Sequence, residues 1–176
     1  RLFAYQEAWP YFARACEMLD RLRVDEPQRR YAIARQMVHL CSVLGRQEEA
    51  GQYMQEALEL AKGMGDPVRI GETLQALCRH HFVGGRVEQA LELSKEAVGL
   101  SQRTGDVRHK ANALRQHGYL CYRSGRHEEA FATLEEALRL SRLVGDRQIE
   151  AQNLNVLGVA CYYHGDYARA LTLWEQ

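Results

Sequence analysis

Residues 125–146 read GRHEEAFATLEEALRLSRLVGD, a helix with its start and stop written into it. Ala130, Phe131, Leu134, Ala137 and Leu138, with a further Leu140, recur at helical spacing over 127–144. Glu128 and Glu129 stand in the first turn, where the helix dipole favours acids, and Gly145 supplies the left-handed residue that ends the helix. The preceding stretch, 107–124, has Ala111, Leu114, Gly118 or Tyr119, Cys121 and Tyr122 at the same spacing, with Asp106 as N-cap and Gly125 as terminator. Two such helices joined by a tight turn form a hairpin.

The same marks recur along the whole chain. Gly45, Gly85, Gly125 and Gly165 are forty residues apart, and Gly-Asp pairs at 65/66, 105/106 and 145/146 fall midway between them. Ala50, Ala90, Ala130 and Ala170 share that period, as do Ala57, Ala97 and Ala137, and Leu60, Leu100 and Leu140. Self-similarity at a fixed period marks a repeat array. The expected fold is therefore all-α, a right-handed α-solenoid of stacked antiparallel helical hairpins. Residues 1–26 are read as the second helix of a cut repeat, because Ala8, Phe12, Ala15 and Met18 match Ala50, Met54, Ala57 and Leu60. Repeats follow at 27–66, 67–106 and 107–146, and 147–176 is a fourth that stops part way through its second helix. Both ends expose a cut face, at Tyr5, Ala8 and Phe12 and at Leu171, Leu173 and Trp174, so the chain is expected to be a piece of a longer protein able to self-associate there.

The alanines at 50, 90, 130 and 170 lie one turn into each second helix, where two backbones approach; a large residue there would overpack the contact at about 1–3 kcal/mol. Pro67 follows Asp66 at the first helical position, where a missing N–H does no harm. With 23 basic and 23 acidic residues among 176, the chain has no bulk attraction for nucleic acid or anionic lipid. No apolar run approaches the roughly 18 residues that span a bilayer, and Arg1 opens no signal-peptide pattern. No membrane partner is expected. Of the five cysteines (16, 41, 78, 121 and 161), Cys41, Cys121 and Cys161 hold the same place in successive repeats. Stacked equivalents stand about 8–10 Å or more apart, too far for a disulfide, and a reduced, cytoplasmic setting is expected.

In the fourth unit, Leu154, Leu157, Gly158, Cys161, Gly165, Ala170 and Trp174 follow a pattern that resembles the tetratricopeptide repeat family. The resemblance runs through four successive units. The period of 40, against about 34 in the common form, is similar to the long-helix variant of bacterial ATPase-linked regulators, kinase-linked arrays and animal polarity scaffolds. Val38 and Cys78 depart from it where Gly is usual, His117 where Leu is, and Ser94 where a large apolar residue is. Cys41, His81, Cys121 and Cys161 stand where Tyr is frequent.

Charge is unevenly divided between the two helix sets. First helices (29–44, 67–84, 107–124, 147–164) carry ten Arg or Lys against two acids, Glu72 and Glu150, whereas complete second helices (47–64, 87–104, 127–144) carry eleven Glu against five basic residues. The resemblance implies that first helices line a concave face, hence a basic groove. By position it would present Arg35, Gln36, His39, Gln75, Arg79, Asn112, Arg115, Gln116, Tyr119, Arg123, Gln152 and Asn155. Arg forks suit carboxylates, Asn and Gln clamp peptide backbone, and Tyr adds an apolar plate with a polar tip. The expected partner is an extended acidic peptide, and the expected role a scaffold or regulatory module of a larger signalling or transcription-regulatory protein. The competing reading is a solvated face, with Arg69 and Lys110 pairing to Asp66 and Asp106.

Other chemistries find less support. Cys78, His80 and His81 cluster, and the spacing of His117 and Cys121 places two ligands on one helical face, but no four-ligand set emerges and the resemblance turns these positions inward; no metal or other cofactor is expected. There is no phosphate-binding Gly-rich loop or nucleophile elbow, so no enzyme is expected. Single-stranded RNA would suit Arg beside Tyr, but the neutral total charge and acidic second helices oppose it. End-to-end self-association is the alternative role.

Overall fold

A computed structural model describes residues 2–21 and 26–176. Among them are nine helices and no strand: α1 (Leu2–Arg21), α2 (Pro27–Val43), α3 (Gln47–Met64), α4 (Pro67–Val83), α5 (Val87–Thr104), α6 (Val107–Arg123), α7 (His127–Val144), α8 (Arg147–Tyr163) and α9 (Tyr167–Trp174). They fall into two compact units, Arg1–Leu77 and Cys78–Gln176, with the division inside α4.

In the first unit α1 packs on α2 and α2 on α3. Tyr31, Ala34, Ala57 and Ala61 are buried at the α2–α3 contact, with Leu60, Met64 and Ile70 around them. Ala50 has no exposed surface, because its backbone lies in the helix contact. The side chains of Tyr5, Ala8 and Cys16 lie outside the described residues. Trp9 is within them, with the Arg46 guanidinium 4.0 Å above its ring.

In the second unit α5 packs on α6, α6 on α7, α7 on α8 and α8 on α9. Cys78, Ala90, Leu91, Leu120, Cys121 and Ala130 form one apolar cluster, and Leu134, Leu138, Leu154, Leu157, Ala160, Cys161, Ala170 and Leu173 another. Gly118 marks the closest approach of α6 and α7: a Cβ there would lie 2.7 Å from Leu134 Cγ and 3.3 Å from the Ala130 carbonyl. At Gly158 a Cβ would lie 2.8 Å from Cε2 of Trp174.

Helix ends follow the expected chemistry. Gly65, Gly105 and Gly145 end α3, α5 and α7 at φ of 64°, 71° and 71°. The Asp106 carboxylate accepts the His109 N–H at 2.9 Å, and that bond with the His109 side chain holds its pKa below the usual carboxylate value. Asp106→Ala is expected to cost about 0.5–2 kcal/mol. Because the folded pKa is depressed, the cap's contribution is present at neutral pH and fades as the solution is acidified through the carboxylate range. Thermal melts of the two proteins converging in acid would show this; an unchanging difference would refute it.

Three expectations require correction. Arg69 pairs with Asp66 at 3.2 Å as the solvated-face reading holds, but Lys110 reaches Glu136 on α7 at 3.8 Å, because His109 occupies Asp106 at 2.7 Å. His80 and His81 are half-buried rather than interior, and His81 Nδ1 accepts from Arg86 at 2.7 Å. Leu173 does not join the exposed Leu171 and Trp174; one turn after Ala170, it lies on the inner face of α9 and is buried.

Candidate functional site

None of the twelve expected groove residues is buried. Arg35, Gln36, His39, Arg79, Arg123, Gln152 and Asn155 are exposed, and Gln75, Asn112, Arg115, Gln116 and Tyr119 are half-buried. Their helices turn the intervening positions, such as Met37, Leu114 and Leu154, into the core, which leaves the polar stripe outward.

Each unit has a cleft that takes two of the twelve. In the first unit a cleft of about 280 Å³ lies between α2 and α4, with Arg35 and His39 beside Tyr31, Val38, Glu72 and Thr73. Arg35 Nη1 meets Glu72 Oε2 at 3.0 Å, both side chains about half exposed. Thr73 donates its hydroxyl to the Arg69 carbonyl at 2.8 Å, so the Tyr31 hydroxyl, 3.3 Å away, donates to Thr73. The acid and the two hydroxyls were not among the expected residues. Gln36 and Gln75 lie outside this cleft.

In the second unit a cleft of about 670 Å³ is lined by Tyr119, Tyr122 and Arg123 from α6, His127 from α7, and Val159 and Tyr163 from α8. Arg123 donates to the Tyr119 hydroxyl at 2.8 Å and lies 5.1 Å over the Phe82 ring, while Phe82 meets Tyr119 edge to face at 5.7 Å. This guanidinium is held by aromatic faces and a neutral hydroxyl. One turn back from Tyr119, Arg115 has Nε buried without a hydrogen-bond partner; its Nη2 reaches Asn112 Oδ1 only at 3.5 Å. Burial lowers the Arg115 pKa, since the charge is taken from water with no carboxylate in exchange. Five other arginines of this unit are paired with carboxylates: Arg108 with Asp146 at 2.6 Å, Arg126 with Glu88 at 3.1 Å, Arg139 with Glu136 at 2.7 Å, Arg142 with Glu150 at 2.8 Å and Arg169 with Glu135 at 2.5 Å. Tyr122, read from the sequence as part of the apolar spacing of its helix, lines the cleft instead, and His127, Val159 and Tyr163 were not among the expected groove residues. Gln116, Gln152 and Asn155 lie outside this cleft.

Of the residues considered for metal, Cys78 donates its thiol to the Ala90 carbonyl at 3.3 Å. His117 and Cys121 do come together, with Glu129 as a third neighbour. Burial holds the His117 pKa below its ordinary value, and burial with the Glu129 charge pushes Cys121 up to about 11. No helix among the described residues is long and apolar enough to cross a membrane.

A tetratricopeptide repeat profile matches residues 68–142 and 110–176, and the chain belongs to that family. The fold is an all-α helical-repeat solenoid, as the solved structures similar to it also show. BtubC from P. vanneervenii is 20% identical with a TM-score of 0.81, the match covering 98% of this chain and 71% of BtubC. The apo form of RapI is 14% identical with a TM-score of 0.85, covering 98% of this chain and 47% of RapI, so the chain spans about half of that protein. A Rap protein complexed with Competence and Sporulation Factor is 16% identical with a TM-score of 0.74, covering 98% and 48%. No curated protein sequence matches the chain.

Proposed function

We propose that this chain is a protein–protein interaction module, divided into repeats at 27–66, 67–106, 107–146 and 147–176, that holds an extended acidic peptide on its first helices. Family membership, the similar Rap protein complexed with Competence and Sporulation Factor, and the similar YrrB, a TPR protein with an unusual peptide-binding site, support a module that takes peptides. The observation that carries the acidic preference is the pair Arg115 and Arg123: two guanidinium groups without a carboxylate, Arg123 lining the α6–α8 cleft and Arg115 on the same helix one turn back from Tyr119. An acidic side chain supplies the missing counter-charge, and the tyrosine faces take an apolar neighbour. The first-unit cleft contributes differently, since Glu72 already neutralises Arg35 there.

Selection from a display library of random peptides is the test. Enrichment of Asp and Glu interleaved with aromatic or aliphatic residues is the expected result; enriched basic or uncharged peptides would overturn the acidic reading. Binding of a mixed single-stranded oligonucleotide with a steep salt slope would replace it by a nucleic-acid role.

A further inference from the structure

The α6–α7 hairpin carries polar side chains inside its core that peptide binding does not use. His117 is 7% and Cys121 0% exposed on α6, and Glu129 approaches from the first turn of α7. His117 Nε2 is 3.6 Å from Cys121 Sγ and 3.4 Å from Glu129 Oε1, and one ligand atom from each residue lies within 4.8 Å of the others. A tetrahedral zinc ion with bonds of about 2.0–2.3 Å holds nitrogen, oxygen and sulfur ligands about 3.3–3.6 Å apart. The His117–Cys121 and His117–Glu129 separations match that spacing.

The imidazole is also oriented for coordination. Ser94 Oγ donates its one proton to the Leu91 carbonyl at 2.7 Å, so at 2.8 Å from His117 Nδ1 it accepts the Nδ1 proton. Nε2 is left as a bare lone pair facing the thiol and the carboxylate. That lone pair accepts from the Cys121 thiol in the metal-free chain and faces the Glu129 oxygen at 3.4 Å, which leaves room for a cation in place of the thiol proton, and an imidazole fixed through its other nitrogen is how metal-binding histidines are held.

Packing does not require this arrangement. Forty and eighty residues before His117 stand Leu77 and Met37, and forty after it Leu157, all buried and apolar. Ser94 answers to Met54, Leu134 and Trp174. The contact between α5 and α6 has thus replaced two large apolar side chains by a hydrogen-bonded polar pair, and α6 and α7 hold a thiol and a carboxylate within reach of its imidazole.

We infer that His117 Nε2, Cys121 Sγ and Glu129 bind one zinc ion, with Ser94 as the positioning residue and a fourth position taken by water on the side where Glu129 is 45% exposed. Thiolate, imidazole and carboxylate together suit zinc rather than calcium or magnesium. Binding releases the thiol proton to solvent.

The experiment is titration of the metal-free, reduced chain with Co²⁺ and then Zn²⁺. One equivalent of Co²⁺ should give a thiolate-to-cobalt charge-transfer band with tetrahedral visible absorption, and one equivalent of Zn²⁺ should bleach both. Cys121→Ser should remove the charge-transfer band. Glu129→Gln, a change at a partly exposed side chain, should weaken zinc by about tenfold or more, and Ser94→Ala by about 10–100-fold. The double variant His117→Leu with Ser94→Ala restores an apolar pair and should fold without taking up zinc. Absence of the charge-transfer band in the wild type would overturn the proposal. So would equal zinc uptake by the folded double variant, which would place the metal on other thiols or on His80 and His81.

Discussion

Replacing Arg115 and Arg123 together by Ala should weaken an acidic peptide by about 10²–10⁴-fold, because each charge-assisted contact contributes about 1.5–3 kcal/mol and each 1.4 kcal/mol is a factor of ten. Both guanidinium groups lack a carboxylate in the free protein, so a bound acid gains the whole interaction. Arg35→Ala should cost less than about tenfold: its pair with Glu72 is a half-exposed surface pair, and a peptide carboxylate must displace Glu72 before it gains anything. Fluorescence polarisation with a labelled acidic peptide measures both, with circular dichroism confirming the fold. Equal losses for Arg35→Ala and the double variant would contradict the assignment of the site to the α6–α8 cleft.

Glycine substitutions should divide sharply by position. Gly63 and Gly99 lie within α3 and α5 with nothing within 4 Å of an added Cβ, so each Gly→Ala change should stabilise by about 0.5–1 kcal/mol through helix propensity alone. Gly118→Leu meets Leu134 and the Ala130 carbonyl in a filled contact, and overpacking there should cost about 1–3 kcal/mol or more, outweighing the propensity gain. Urea melts with midpoints moving in opposite directions are expected. A Gly118→Leu protein as stable as wild type would mean that α6 and α7 part easily, contrary to the close contact at Leu134.

The forty-residue period made the hairpins legible because it is written in residues whose role is local: the Gly-Asp pairs stop one helix and cap the next, and Ala50, Ala90, Ala130 and Ala170 mark where backbones meet. The same periodicity kept all twelve of those positions off the buried face, seven of them exposed and five half-buried. What the period cannot convey is which side chains meet between one helix and another. Glu72 neutralises Arg35 from thirty-seven residues away, and a count of charges by helix placed the two in the same basic set. Tyr122 and Tyr163 entered the second cleft because it lies between α6 and α8, a neighbour relation that a single helical wheel does not contain. His117 and Ser94 were noticed as two separate departures from the family pattern; their hydrogen bond makes them one change. Cys78 illustrates the same coupling, since it replaces the close-contact glycine in the repeat where Ser94 replaces the large residue corresponding to Leu134.

Each first helix also carries one buried thiol, Cys41 on α2, Cys78 on α4, Cys121 on α6 and Cys161 on α8. Burial raises all four pKa values, Cys78 to about 12, and only the thiolate attacks an alkylating reagent. In the closed helices these sulfurs are shielded twice over, by the surrounding side chains and by their protons. Alkylation therefore waits for each helix to come away from its neighbours, and the labelling rate of each cysteine, separated by mass spectrometry of its peptide, becomes a clock for the opening of that hairpin. The chain carries its own set of site-resolved stability probes, so the unfolding of individual repeats is measurable in the unmodified protein.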